Sequence, residues 1–484
     1  MVEALAAASC LGESVVTKQQ THSNKKPPLV KVPASSIYSR VRSIPSVKFE
    51  SDTQMTSFGG LVIFQPLFER LDLWRRLAQC CHHLPEGGLY SHALCLRMLV
   101  VHLLLGFRRL RDVEFYQSDP LVLRVLGLRQ MPSVPTVSRL LGGFDSRSTE
   151  AMRTCVRDLV IERLLALGLR TITLDFDGSV LSTKRHAEGT AVGFNKHKKG
   201  ARSYYPLFCT LAQTGQVLDV LHRSGNVHDS NGAVEFITRC VAQVRQRLPR
   251  VQIELRMDSA FFSDANIQAL EAMGVSYTIS VPFERFVELK GSIQTRRKWD
   301  AIPGRDGCDY FEQRWKPKSW RRKARFIFMR SLERKQDKEP VQLDLFRPIS
   351  SEHQYKVIIT NKSHGAGRVA AFHEGRGCQE NIFGDMKQDV QMAYIPCRRR
   401  CANEIWLLGS ILAHNLGREL QLAAQPQPRT ATMKRTALWV FESLHTLRRN
   451  VIQRAARLTR PQGKWTLTLP DIPPLRDAIL RYSA

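Results

Sequence analysis

Three acidic residues far apart in the chain, Asp177, Asp258 and Glu380, have settings that suit one site. Asp177 closes the β-branched run 171–177 just before Gly178, and Asp258 closes a second apolar-rich run, 251–257, just before Ser259. Side chains alternate along a strand, so Asp175 shares the side of Asp177, and either can reach a site at the strand's end. Glu380 falls in a stretch that reads as helix from Gly367 to about Gln391. At ~100° per residue, Lys387 and Arg376 lie ~20° and ~40° to one side of Glu380, and His373 ~20° to the other. Glu374, Asp385 and Asp389 fall ~120°, ~140° and ~180° away and face elsewhere. One stripe therefore presents a carboxylate bracketed by two cations and an imidazole.

Singly, each acid has an ordinary reading. Aspartate before Gly or Ser is a usual turn residue, and an i,i+4 Arg–Glu pair on a solvated helix face is worth only ~0.2–0.5 kcal/mol. Together they make a stronger case. Two carboxylates at ~4 Å and an effective dielectric near ~20 repel by ~4 kcal/mol, so convergence needs a counter-charge. Mg²⁺, with its preference for oxygen, supplies one. A pair of such ions activates a water or a 3′-hydroxyl and stabilises the leaving oxygen of an in-line displacement on DNA.

The elements that must hold these residues follow from periodicity. After a basic leader, 1–50, residues from about 55 to 165 read as helices, with Leu67, Leu71 and Trp74 at helical spacing. Pro132 and Pro135 precede a helix that begins Thr136-Val137-Ser138-Arg139-Leu140-Leu141, a DNA-recognition helix or an ordinary bundle corner. From Leu169 the pattern turns to strands at 171–177, 204–213 and 217–223, the last two joined by Thr214-Gly215-Gln216. An amphipathic helix is expected from Asp229 to Arg247, a strand over 251–257, a helix from Asp264 capped by Ser263, and a strand over 275–281. This succession implies an α/β fold, a mixed sheet flanked by helices. A very basic stretch, 284–353, follows, in which Arg314, Lys316, Lys318, Arg321, Arg322, Lys323 and Arg325 crowd around Trp315 and Trp320. A strand at 355–361, helices to about Leu422, and a helical tail over 423–484 complete the expected order.

Composition narrows the partners. With 72 Lys and Arg against 44 Asp and Glu in 484 residues, the net charge is +28. Such an excess favours a polyanion, because each neutralised phosphate releases condensed counterions. The 11 cysteines lack the dense, even spacing of a secreted scaffold. Cys80-Cys81-His82-His83 and the pair Cys397 and Cys401 do not have the ligand spacing of structural zinc. No basic leader precedes the short apolar patch at residues 4–11, and the apolar stretch 89–107 is broken by His92, Arg97 and His102, so a soluble protein is expected.

These residues resemble the bacterial DDE insertion-sequence transposases, whose catalytic core is ribonuclease-H-like. Thr173-Leu174-Asp175-Phe176-Asp177-Gly178-Ser179 resembles the segment of the first catalytic aspartate, with Asp177 at the matching position. Segments 198–207 and 223–226 resemble the next blocks, and Leu255-Arg256-Met257-Asp258-Ser259-Ala260-Phe261-Phe262 the second aspartate segment. His373, Arg376, Glu380 and Lys387 stand at the separations of the Tyr-x2-Arg-x3-Glu-x6-Lys signature, with histidine in place of tyrosine. The resemblance implies Asp177, Asp258 and Glu380 as catalytic metal ligands, with Mg²⁺ as cofactor and Mn²⁺ substituting. It implies DNA contacts from His373, Arg376 and Lys387, from Arg398-Arg399-Arg400, and from the β-rich insertion, where Trp299, Trp315 and Trp320 are stacking candidates beside Arg321, Arg322 and Lys323. The expected organisation is leader 1–50, helical DNA-binding region 51–168, core 169–283, insertion 284–353, core 354–422 and tail 423–484. The expected partners are double-stranded DNA, at element ends and target, and a second copy of the chain in a synaptic homodimer in the bacterial cytoplasm. A nuclease that does not join ends, a catalytically dead DNA-binding descendant and a basic ribosome-associated protein are the rivals.

Overall fold

The helical region begins behind a two-residue strand, β1 (Met55–Thr56), and comprises α1 (Phe64–Arg70), α2 (Leu73–Gln79), α3 (His92–Leu104), α4 (Pro120–Leu126), α5 (Val134–Gly142) and α6 (Ser146–Leu167). The computed structural model describes residues 54–85, 88–193, 198–227, 231–332, 353–430 and 433–483. The leader 1–50 and Asp229, the expected start of a helix, lie outside them. Local chemistry sets the helix ends. The Ser91 side chain accepts from Leu94 N at the start of α3, and Asp145 caps α6 through Ser148 N. Asp119 caps α4 ahead of Pro120, and Gly127 closes that helix in the left-handed conformation. The apolar stretch 89–107 becomes α3, buried inside the protein; among the described residues no helix is long and apolar enough to cross a membrane.

The sheet follows at Leu169, where the sequence predicts it. Its strands are β2 (Thr171–Gly178), then β3 (Leu181–Thr183), β4 (Ala191–Val192) and β5 (Arg202–Tyr204), which form a small sheet of their own, then β6 (Leu207–Leu211) and β7 (Val217–Leu221). After α7 (Ala233–Arg247) come β8 (Gln252–Met257), α8 (Asp264–Ala272), β9 (Ser276–Ser280) and α9 (Val287–Thr295). Strands β10 (Asp300–Ala301), β11 (Cys308–Trp315), β12 (Ala324–Leu332) and β13 (His353–Thr360) lead to α10 (Ala366–Glu374), α11 (Cys378–Asp389) and α12 (Arg400–Ala423). Among the described residues nine strands share one sheet, in the order β10-β11-β12-β13-β9-β8-β2-β6-β7. β2 runs parallel to β8 and β8 parallel to β9, while β6, β7 and β13 are antiparallel to their neighbours. Strands β10, β11 and β12 of the basic stretch extend the central sheet.

Two corrections concern helices. The single helix expected from 367 to 391 is interrupted by a 3-10 turn, Gly375–Gly377, between α10 and α11. The tail contains α13 (Leu444–Leu447), a π-helical turn at Arg448–Ile452, strands β14 (Ala456–Thr459) and β15 (Thr466–Thr468), and α14 (Pro473–Ser483). Its β14 pairs with β1, four hundred residues earlier (Met55 opposite Arg457), which no local pattern announces.

Packing ties the regions together. One core joins the helical region, α11, α12 and the C-terminal segments. A second lies between the sheet and helices α7, α8 and α9, and a third sets α10 on the other face, against Ile327, Met329 and Ile358. Helix α6 serves two of these cores, with Met152 and Val156 in the first and Val160, Ile161 and Leu164 in the second. Helix α12 is buried along almost its whole length, so its polar residues need partners. Asn415 meets this need by accepting from Val217 N at 2.9 Å and donating to Val217 O at 2.8 Å, which also closes the open edge of β7. The described residues form one compact unit.

Candidate active site

Strand register brings the first two acids together. In the parallel β2–β8 ladder Phe176 stands opposite Met257, so the next residues, Asp177 and Asp258, leave adjacent strand ends, on chains ~5 Å apart. Each aspartate uses one oxygen to shape its own turn. Asp177 Oδ1 accepts from Gly178 N at 2.8 Å, and Asp258 Oδ1 accepts from Ala260 N at 3.0 Å. Gly178 is required by a close approach: a Cβ there would stand 2.5 Å from the Tyr205 ring.

The third acid is linked to this pair through a guanidinium. Arg376, on the 3-10 turn, donates from Nη1 to Asp177 Oδ2 at 3.1 Å, and its Nη2 lies 3.8 Å from Glu380 Oε1 on α11. Lys387 lies further along α11, near Asp177; burial holds its ammonium below its ordinary value, against the pull of that carboxylate. Glu374, Asp385 and Asp389 do face elsewhere. They contact Arg305, Arg418 and the His445 amide respectively.

Asp175 has a different role from Asp177. It stands opposite Arg256 in the β2–β8 ladder and accepts from Arg256 Nε and Nη2 at 2.6 and 2.7 Å, with both side chains buried. Burial pushes the Asp175 carboxyl up, opposed by Arg256. The remaining Arg256 nitrogen donates to Phe372 O at 3.0 Å and Lys434 O at 2.6 Å. Gln379, fully buried beside Glu380, donates to Asp175 O at 3.0 Å. One buried centre thus fixes the end of α10, the start of α11 and the loop at Lys434 against β2. Gly375 leaves room for this centre: a Cβ there would stand 1.8 Å from Lys434 O. Sequence reasoning passed over Arg256 and Gln379. The available signal was Arg256 on the polar side of an alternating strand, two residues before Asp258, matching Asp175 two residues before Asp177.

Several expected DNA contacts sit elsewhere than a surface. His373 is 1% exposed, and its ring bonds Ser280 Oγ at 2.8 Å and Thr278 Oγ1 at 3.0 Å. Burial, then Lys356, Arg376 and Arg256, holds this imidazole well below its ordinary value, so it is neutral. It anchors α10 on β9 and presents nothing to a phosphate. Trp320 is 7% exposed and packs 4.8 Å from the Phe262 ring, just beyond Asp258. Trp315 lies half-buried against Phe286 and Phe326, and Trp299 edge-on to Phe311. Arg321, Arg322 and Lys323 are exposed and line a groove of about 1030 Å³ with α8 and Lys362. Arg398, Arg399 and Arg400 are also exposed. Arg399 donates to Gly142 O at 2.8 Å and Arg400 to His222 O at 2.9 Å, joining the helical region to the sheet.

Among the described residues no three His, Cys, Asp or Glu side chains converge as a metal site. The donor set nevertheless fits a hard divalent cation: every candidate ligand is a carboxylate oxygen. A positive group, the Arg376 guanidinium, already spans Asp177 and Glu380.

The family model described as "Transposase DDE domain group 1" matches residues 41–484. A piggyBac transposase synaptic complex with hairpin DNA is 10% identical, with 80% of this chain and 79% of that chain covered and a TM-score of 0.39. The Mos1 mariner paired-end complex with Mn is 13% identical, with 40% and 60% covered and a TM-score of 0.16. At these scores the likenesses carry no weight for fold or function. No curated protein matches the sequence.

Proposed function

This chain belongs to the family of transposases with a DDE domain of group 1, and on that premise we propose that it cuts DNA at the ends of an insertion sequence and joins the exposed 3′-hydroxyls to target DNA. The observation that carries the site is the β2–β8 register, which sets Asp177 and Asp258 on neighbouring strand ends while Arg376 reaches both Asp177 and Glu380. The strand order β7-β6-β2-β8-β9 with its antiparallel-then-parallel pairing supports a ribonuclease-H-like core.

Asp177, Asp258 and Glu380 would hold divalent metal, Mg²⁺ or Mn²⁺. When bound, such ions supply a more acidic water or hydroxyl and charge neutralisation at the leaving oxygen. The chain's own residues do the rest. Arg376 exchanges its carboxylates for a DNA phosphate, which its planar fork matches, and Lys387 adds a point charge on the same side. Water attacks the phosphorus at the element end, the P–O3′ bond breaks, and a 3′-hydroxyl is left. That hydroxyl attacks a target phosphodiester, whose own 3′ oxygen departs with the proton. The buried Asp175–Arg256–Gln379 centre holds the Glu380 helix in place against the aspartate strands. A bacterial host, a homodimeric synapse on paired ends and contacts from Arg321, Arg322, Lys323 and Arg398 complete the reading.

The test uses a supercoiled plasmid carrying the DNA that flanks this gene, with purified protein and Mg²⁺ or Mn²⁺. Cleavage at the flanks and joining to a second plasmid are expected. Asp177→Asn, Asp258→Asn and Glu380→Gln should each lower cleavage by roughly 10²–10³, the scale for removing one electrostatic stabiliser, while DNA binding persists. Full activity in any of the three overturns its assignment. Cut ends that never join a target would leave a nuclease of the same site.

A further inference from the structure

A second cationic surface lies on elements that the acidic site does not use. Residues 449–470 contain Arg449, Arg454, Arg457, Arg460 and Lys464 and no aspartate or glutamate. The segment folds into the β14–β15 hairpin, with Arg457 opposite Thr468, Leu458 opposite Leu467 and Thr459 opposite Thr466. Ala456 and Leu458 are buried, and Leu467 and Leu469 pack on the helical core. Alternation then turns Arg457, Thr459, Thr466 and Thr468 to the other side, where Arg457, Thr466 and Thr468 are exposed.

At the rim stands Trp465, 47% exposed in a protein that buries most of its large apolar groups. Its ring carries two guanidiniums, Arg124 from α4 at 4.4 Å and Arg460 at 5.4 Å. Among the described residues no ion pair engages Arg124, Arg460 or Lys464. A guanidinium stacked on an indole is held in place by the ring face; Arg460 Nε donates to Gly463 O at 3.0 Å, and its two outer nitrogens stay in the plane for a bidentate acceptor.

We propose that the turn end of the β14–β15 hairpin, where Arg124, Arg460 and Lys464 gather around Trp465, is a nucleic-acid contact surface that grips duplex phosphates without reading bases. The chemistry favours this over the alternatives. Arginine, lysine and threonine donate to phosphate oxygens, the contacts that position a duplex without specifying sequence. A lipid surface would call for an apolar face, and the hairpin turns its leucines toward the helical core. An acidic protein is the other candidate occupant, but the exposed ring here, Trp465, is covered by two guanidiniums rather than set in an apolar cluster that such an interface would bury at its centre. The surface stands independently of the acidic site.

The test measures binding of the full chain to a labelled random-sequence duplex by anisotropy across a salt series, in chelator so that no metal enters. The variant Arg124→Gln/Arg460→Gln/Lys464→Gln should lower the slope of log K against log salt by about two to three, since each phosphate contact contributes ~0.9. The conservative variant Arg124→Lys/Arg460→Lys should keep the slope, which a folding defect would not. An unchanged slope in the triple variant, with an unchanged melting curve, overturns the proposal. So does a slope lost equally in the lysine variant, or a preference for structured RNA over the duplex in competition.

Discussion

Two carboxylate–guanidinium pairs stand two residues apart on one side of β2, and they are built for opposite ends. Asp175 and Arg256 are sealed, with side chains 2% and 0% exposed, and every Arg256 nitrogen has an acceptor. Asp177 and Arg376 keep about a fifth of their surface, 19% and 20%, and share a contact that reaches Glu380 at 3.8 Å. The sealed pair spends its bonds on holding backbone segments together. The open pair leaves its groups able to change partners. The same residue types, moved along the strand by one pleat repeat, differ in solvent access and in how many partners the guanidinium holds.

Breaking the sealed pair should have the largest effect. Arg256→Met removes the partner of a buried carboxylate and the donor to Phe372 O and Lys434 O, so a loss of ~3–5 kcal/mol is expected in urea unfolding. The double change Asp175→Asn/Arg256→Met should recover part of it, because the stranded charge is gone. Arg256→Met protein as stable as the parent would erase the distinction between the two pairs.

Acidification probes the sealed side through His373. Its folded value lies well below the unfolded ~6.5, so above that pH both states are neutral and stability does not change on its account. Below about pH 6.5 the unfolded chain takes up a proton that the folded protein refuses, and stability falls by up to ~1.4 kcal/mol per pH unit for each such group. His102, lowered to about 4, and His414, lowered to about 3, both by burial, add to the slope. His373→Gln should remove one proton's share, read from urea midpoints at about pH 7.5 and about pH 5. An unaltered slope would mean that His373 titrates in the folded protein.

How much of this was legible beforehand depended on locality. The strand runs at 171–177 and 251–257, the Gly215 hairpin and the Ser263 cap are short-range patterns, and the corresponding elements lie where periodicity places them. The strand expected over 204–213 instead divides into β5 and β6, and the helix stripe of Glu380 is broken at Gly375–Gly377. The pairing of β2 with β8 is long-range, yet two runs ending in Asp-Gly and Asp-Ser hinted at it. What the sequence hid needed partners distant in the chain: Arg256 with Lys434 O, Trp320 under Phe262, and β14 beside β1. A tryptophan among arginines reads the same whether it faces solvent or a phenylalanine cluster. Composition therefore favoured the 315–323 hairpin, whose Trp320 is buried, over the later one, whose Trp465 is exposed.

The smallest expected effect is the sharpest probe of the open pair. Arg376→Gln should change stability by less than ~1 kcal/mol, because a part-exposed ion pair contributes little to folding. Yet Arg376 contacts both Asp177 and Glu380, so a divalent cation entering between them must first displace the guanidinium. Without it, DNA-free protein should bind Mn²⁺ more tightly by up to roughly fivefold, the equivalent of ~1 kcal/mol, as followed by calorimetric titration. Cleavage should fall all the same, since the phosphate contact proposed for Arg376 is lost with the competitor. Adding duplex to the parent should tighten its own metal binding in the same direction, because a phosphate then draws Arg376 away from the carboxylates. Weaker Mn²⁺ binding by Arg376→Gln would show that the guanidinium positions these acids rather than competing for them, and the open pair would then resemble the sealed one.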